Sequence, residues 1–102
     1  MSKKLNALLK AYEGIDNVAV IHAAFGETPH TVALVEVSDA LSIDEKLEKA
    51  FMLTNSIDDA WWNNEGVTSM FPEKGCRSTS VDDMILVGKE KYKCESTGWS
   101  KI

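Results

Sequence analysis

Cys76 stands beside Arg77, a cation able to lower a thiol pKa and favour the nucleophilic thiolate. Covalent chemistry at such a thiol also requires a base and a third group to orient it. The sequence singles out neither, so Cys76 and Cys94 read as reduced thiols, a two-cysteine chain being a poor disulfide scaffold. His22 lies inside the apolar run Val18–Phe25 and reads as a packed or edge histidine, because no second histidine, cysteine or carboxylate stands at an interpretable ligand spacing. His30 falls in a predicted turn, where solvent is its expected partner. Asp58-Asp59 and Asp82-Asp83 are paired carboxylates of the kind that hold a hard cation. The first pair suits a helix N-terminus and the second a turn before a strand, so both read as structural. Phosphate-cradling glycine loops, Ser-His-Asp arrangements and zinc spacings are absent from the sequence. No catalytic residue, metal or cofactor is assigned, and an enzyme is the minority expectation.

Periodicity supplies the elements that would carry these side chains. Leu5, Leu8, Leu9 and Tyr12 recur at helical spacing, with Ser2 as N-cap and Gly14 as stop, which predicts a short amphipathic helix. Two stretches rich in β-branched residues, Val18–Phe25 and Thr31–Val37, flank Gly26-Glu27-Thr28-Pro29-His30 and predict a hairpin. Small apolar residues on both faces of the second stretch predict cover on both sides. A second helix is expected from Ser42, where Ser42 and Glu45 have capping-box spacing and Ile43, Leu47, Ala50, Phe51 and Thr54 form one stripe. Asp83–Val87 and Lys91–Glu95 around Gly88-Lys89-Glu90 predict another hairpin, ending on Gly98-Trp99-Ser100. The fold class is α+β over 1–102 as a single domain: a small, mostly antiparallel sheet of two hairpins, two main helices on one side, and an irregular Trp-bearing turn.

With 102 residues, 44% hydrophobic and 26% charged, the chain has ordinary globular composition. The apolar run Val18–Ile21 is far short of the ~20 residues that span a bilayer, and Met1–Lys4 leads into an amphipathic segment, so a cytoplasmic protein with no membrane partner is expected, as monomer or homodimer. The net charge of −5 is uneven. Residues 41–72 carry two Lys/Arg against six Asp/Glu, whereas 73–102 carry six against five. An acidic chain is repelled by phosphate backbones, which disfavours general nucleic-acid binding. The polar face of the second helix holds Asp44, Glu45 and Glu48, a solvated surface or a docking one.

Trp61 and Trp62 are adjacent, so their indoles diverge and cannot share one core layer. Trp61 is expected as the buried anchor and Trp62 as the exposed ring beside the acidic helix, with Trp99 closing the core against one indole. Asn55 and Asn64 suit helix ends and turn backbone. Arg77 followed by Ser78, Thr79 and Ser80 suits either an anion or the pinning of a carboxylate such as Asp58 or Asp59, the latter preferred.

The order Phe51-x-x-Thr54-Asn55-x-Ile57-Asp58-x-x-Trp61-Trp62-x-Asn64-x-Gly66-Val67, then Cys76-Arg77-Ser78-Thr79-Ser80-Val81-x-Asp83-Met84-Ile85, then Tyr92 and Gly98-Trp99-x-x-Ile102 resembles a family of small proteins and domains encoded on phages, plasmids and other mobile elements. The second half is also similar to YodL-like domains of conjugative elements. This resemblance covers about half the chain and implies genomic context rather than a reaction. Such members usually have Gly before the motif aspartate; here the residue is Asp82, which puts a tight positive-φ turn there in question.

Two functions follow from these residues. One is an accessory factor that binds a host protein, one of a defence system included, through Trp62, Asp44, Glu45, Glu48, Asp58 and Asp59, tryptophan being favoured at binding hot spots. The other is a single-stranded nucleic-acid binder that stacks bases on tryptophan with Arg77, Lys89, Lys91 and Lys93 on the backbone.

Overall fold

The computed structural model describes Leu9 and residues 17–55, 60–71 and 75–102. Strands β1 (Asn17–His22), β2 (His30–Glu36), β3 (Val67–Ser69), β4 (Met84–Val87), β5 (Glu90–Glu95) and β6 (Gly98–Lys101) form one antiparallel sheet in the order β3-β2-β1-β4-β5-β6. Both expected hairpins form, β1 with β2 and β4 with β5, and β1 pairs with β4 so that the two become one sheet. The edge strands β3 and β6 were not expected. They are three and four residues long, too short for an alternating pattern to stand out.

The α+β class holds, and of the two main helices expected the described residues contain one. Among the described residues the one α-helix is α1 (Ile43–Leu53), followed by a 3-10 turn at Trp61–Asn63. The helix expected over Leu5–Tyr12 lies, Leu9 apart, outside the described residues. Helix α1 opens with the capping box: Glu45 N–H donates to Ser42 Oγ at 3.2 Å and Ser42 N–H to Glu45 Oε1 at 3.1 Å. Past Leu53 the last carbonyls are capped by side chains, Thr54 Oγ1 donating to that of Ala50 at 2.8 Å and Asn55 Nδ2 to that of Phe51.

Cross-strand register sets the core. Ala33, Val20, Ile85 and Tyr92 stand side by side across four strands, beside the pair Val18 and Val35. Leu47 and Ala50 of α1 and the Trp61 indole pack on the same cluster. One extra residue in β2 opposite Val20/Ile21, a β-bulge, brings Val32 into this cluster together with its neighbour Ala33. On the other face Ala19 and Leu34 are buried with Met70 and Leu86 against them, so both faces of β2 are covered as its composition predicts. No helix among the described residues is long and apolar enough to cross a membrane.

Candidate functional site

Asp83 is the hub of the segment that joins β3 to β4. Its carboxylate is fully buried and accepts from Ala23 N–H at 2.8 Å, Ala24 N–H at 2.9 Å and Ser80 N–H at 2.7 Å. Arg77 grips it bidentately, at 2.7 and 2.9 Å, and reaches Glu27 with Nε at 2.6 Å. Burial by itself would raise the Asp83 pKa, but the Arg77 fork and the three backbone donors override it and hold the carboxyl at about 2. Asp83 raises the Arg77 pKa in return, against the opposing effect of burial.

Arg77 thus pins a carboxylate, the preferred expectation, but the partners are Asp83 and Glu27. Asp83 is only six residues away at the mouth of β4, whereas Asp58 and Asp59 lie outside the described residues. Ser78 supplies a carbonyl to Arg77 Nη1 at 3.0 Å, and Ser80 Oγ faces the same carbonyl at 3.5 Å. The guanidinium also lies 5.0 Å from the centre of the exposed Phe25 ring. Asp82, where the resembled family has glycine, adopts φ 79°, so the positive-φ turn is present with aspartate in it.

The hub is walled by His22, which is fully buried at the end of β1. His22 Nε2 meets Thr79 Oγ1 at 3.0 Å, Thr79 Oγ1 donates to Thr54 Oγ1 at 2.8 Å, and Thr54 Oγ1 donates to the Ala50 carbonyl. On the other side of the ring, Nδ1 stands 3.6 Å from Cys76 Sγ. Desolvation lowers the His22 pKa below its ordinary value, with Asp83 acting in the opposite direction. A cleft of about 490 Å³ opens here between His22, His30, Phe71, Cys76 and Arg77. Cys76 and Cys94 are not joined in a disulfide, and burial pushes the Cys94 thiol up. Among the described residues no three His, Cys, Asp or Glu side chains are grouped to hold a metal ion.

Trp61 is the buried anchor: it is 0% exposed and its Nε1–H points at the carbonyls of Cys76 and Arg77, 3.2 and 3.0 Å away. Trp62 is half-buried rather than exposed. It meets Trp61 and Phe71 edge-on, with ring centres 5.6 and 5.5 Å apart, because the 3-10 turn folds both indoles toward the Phe71 segment. Gly75 passes so close that an added Cβ would stand 3.3 Å from the Trp62 ring. Asn64 Nδ2 closes the end of α1 by donating to the Leu53 carbonyl at 2.8 Å. Trp99, entering β6 after Gly98 at φ 137°, does not reach the indole pair. It packs edge-on against Phe51 and donates to Glu48 Oε1 at 3.1 Å, since β6 lies at the sheet edge opposite β3, where the Trp turn sits.

Asp44, Glu45 and Glu48 all lie on the exposed face of α1, as expected, and none of them is in an ion pair among the described residues. Beside them runs a shallow groove of about 540 Å³ lined by Leu41, Glu45, Glu48, Lys49, Phe51 and Met52. Met52 at 58% and Ile43 at 40% exposure add apolar surface to the same helix. Of the cations weighed for nucleic acid, Arg77 is held by two carboxylates and Lys93 lies 3.9 and 3.7 Å from Asp82 and Glu95, while Lys89 and Lys91 are exposed on the β4–β5 hairpin.

The architecture defines a small antiparallel α+β domain with an acidic helix face and a thiol–imidazole cleft. Searches against family models, curated proteins and solved structures find no match to the chain.

Proposed function

We propose that the protein is an accessory factor of a phage or other mobile element that acts by binding a host protein, and that α1 is the docking surface. The observation that carries this function is the conjunction, on one helix, of three carboxylates outside any ion pair among the described residues with a groove lined by Phe51 and the exposed Met52. A basic amphipathic segment fits it: apolar residues in the groove, cations against Asp44, Glu45 and Glu48. Trp99 on Phe51 takes over the aromatic role first expected of Trp62. The mobile-element resemblance supplies the context, and host proteins with a basic site meant for nucleic acid are the partner class such an acidic face can occupy, defence proteins among them.

Affinity capture from host lysate, followed by reconstitution with the purified captured protein, tests this. E48K and M52K are expected to weaken the complex at least about tenfold and W62F to leave it within about twofold, with affinity falling as salt rises. Equal affinity for wild type, E48K and M52K would rule out α1 as the docking surface. A salt-sensitive shift of single-stranded oligonucleotide abolished by changes at Lys89 and Lys91 would instead favour nucleic acid.

A further inference from the structure

The hydroxyl relay behind His22 fixes which ring nitrogen carries the proton. Thr54 spends its one hydroxyl proton on the Ala50 carbonyl, and Thr79 spends its own on Thr54 Oγ1. Thr79 Oγ1 therefore has only lone pairs for His22, so Nε2 is protonated and Nδ1 presents a lone pair to Cys76 Sγ at 3.6 Å. Asp83 Oδ2, 3.9 Å from Nε2, is placed to stabilise the imidazolium that would form when Nδ1 takes a proton. The base and the orienting groups that the sequence did not single out are thus supplied by β1, by Thr79 and by the Asp83 hub.

We infer that Cys76 and His22 form a nucleophilic thiol–base pair that reacts with small disulfides entering the cleft. The Cys76 thiol proton moves to His22 Nδ1, and the thiolate attacks one sulfur of R–S–S–R. A bond forms between Cys76 Sγ and that sulfur as the R–S–S–R bond breaks. The leaving thiolate takes the proton from His22, giving a mixed disulfide on Cys76 and one free thiol R–SH; Cys76 is oxidised and the disulfide reduced. The cleft, at about 490 Å³, is of small-molecule size and holds Glu27, His30 and Arg77 as polar contacts. Cys94 is the internal contrast: it is buried on β5 with Asp82, Asp83, Glu48 and Glu95 disfavouring its thiolate. The groups that bear on His22 charge are Asp83 and Arg77 from the hub, Glu27 from the β1–β2 connection and His30 at the start of β2.

The test is the pH–rate profile of the intact protein with 4,4′-dithiodipyridine and with oxidised glutathione, the modified cysteine being identified by peptide mass. Cys76 is expected to react at least about tenfold faster than Cys94 at pH 7, with a rate that rises less than the roughly tenfold per pH unit of a simple thiol. In H22Q, which keeps a donor toward Thr79 but removes the base, the Cys76 rate is expected to fall at least about tenfold and the simple-thiol slope to return. T79S should react like wild type, and T79V, which breaks the relay, should be slow. A wild-type Cys76 with the slope and rate of a simple thiol overturns the inference, as does a folded H22Q with an unchanged profile. If H22Q fails to fold, the T79S and T79V pair decides, and equal rates in the two overturn it.

Discussion

A single carboxylate, Asp83, joins three parts of the chain: the end of β1 through Ala23 and Ala24, the Ser80 turn, and Arg77. Five donors converge on its two oxygens, so an amide in its place would set an NH2 group against some of them and leave Arg77 with one fewer counter-charge. D83N is expected to destabilise the protein by about 3 kcal/mol in denaturant unfolding, as the loss of one partner from a buried pair does. The carboxyl also predicts an acid limb. Its folded pKa of about 2 lies below the ordinary carboxylate value, so its contribution is complete above pH ~4 and is lost as pH falls from ~4 toward 2. The amount is about 2 kcal/mol, and D83N should lack that limb when unfolding free energy is followed against pH.

Turns and packing segments carry the next predictions. Asp82 holds φ 79°, a left-handed conformation that costs an L-residue, while its N–H bonds the Cys94 carbonyl at 2.8 Å and fixes the entry to β4. D82G is expected to raise stability by about 0.5 to 1 kcal/mol, read as a higher thermal midpoint, because the relief exceeds the added freedom of the unfolded chain. In the Trp turn, W61F removes a fully buried indole and leaves the Cys76 and Arg77 carbonyls without their N–H, which should cost about 3 kcal/mol, whereas W62F should cost about 1. These elements differ in how plainly the sequence announces them. The Ser42–Glu45 cap was legible from spacing within a few residues, the two hairpins from β-branched composition around short turns, and the roles of Asn64 and Trp61 from residue type alone. Strands β3 and β6 were not, since three or four residues leave no periodicity to read. Arg77, Ser80 and Asp83 stood out as residues, and so did Cys76 and His22, but their partnerships did not. Cys76 and His22 are 54 positions apart, and a fold in which β1 pairs with β4 and the segment before β4 runs past the end of β1 is what makes them neighbours. Thr79, the residue that sets the His22 tautomer, carried no local signal beyond its place among hydroxyl residues.

At the scale of the molecule the two candidate surfaces are separate. The α1 groove and the Cys76 cleft share no lining residue, and the Thr54–Thr79 relay links the helix end to the cleft through the interior. An acidic helix face outside any described ion pair is costly to maintain through self-repulsion and useful once a basic partner covers it. Helix α1 and the β6 edge beside Trp99 should therefore respond together on complex formation, while the Arg77–Asp83 hub stays as it is. Hydrogen–deuterium exchange of the protein with and without its purified captured partner tests the central claim most directly. Added protection over residues 43–53 and 98–101, absent with E48K, is the expected result; protection confined to the His22–Arg77 side, with α1 exchanging as in the free protein, would contradict it.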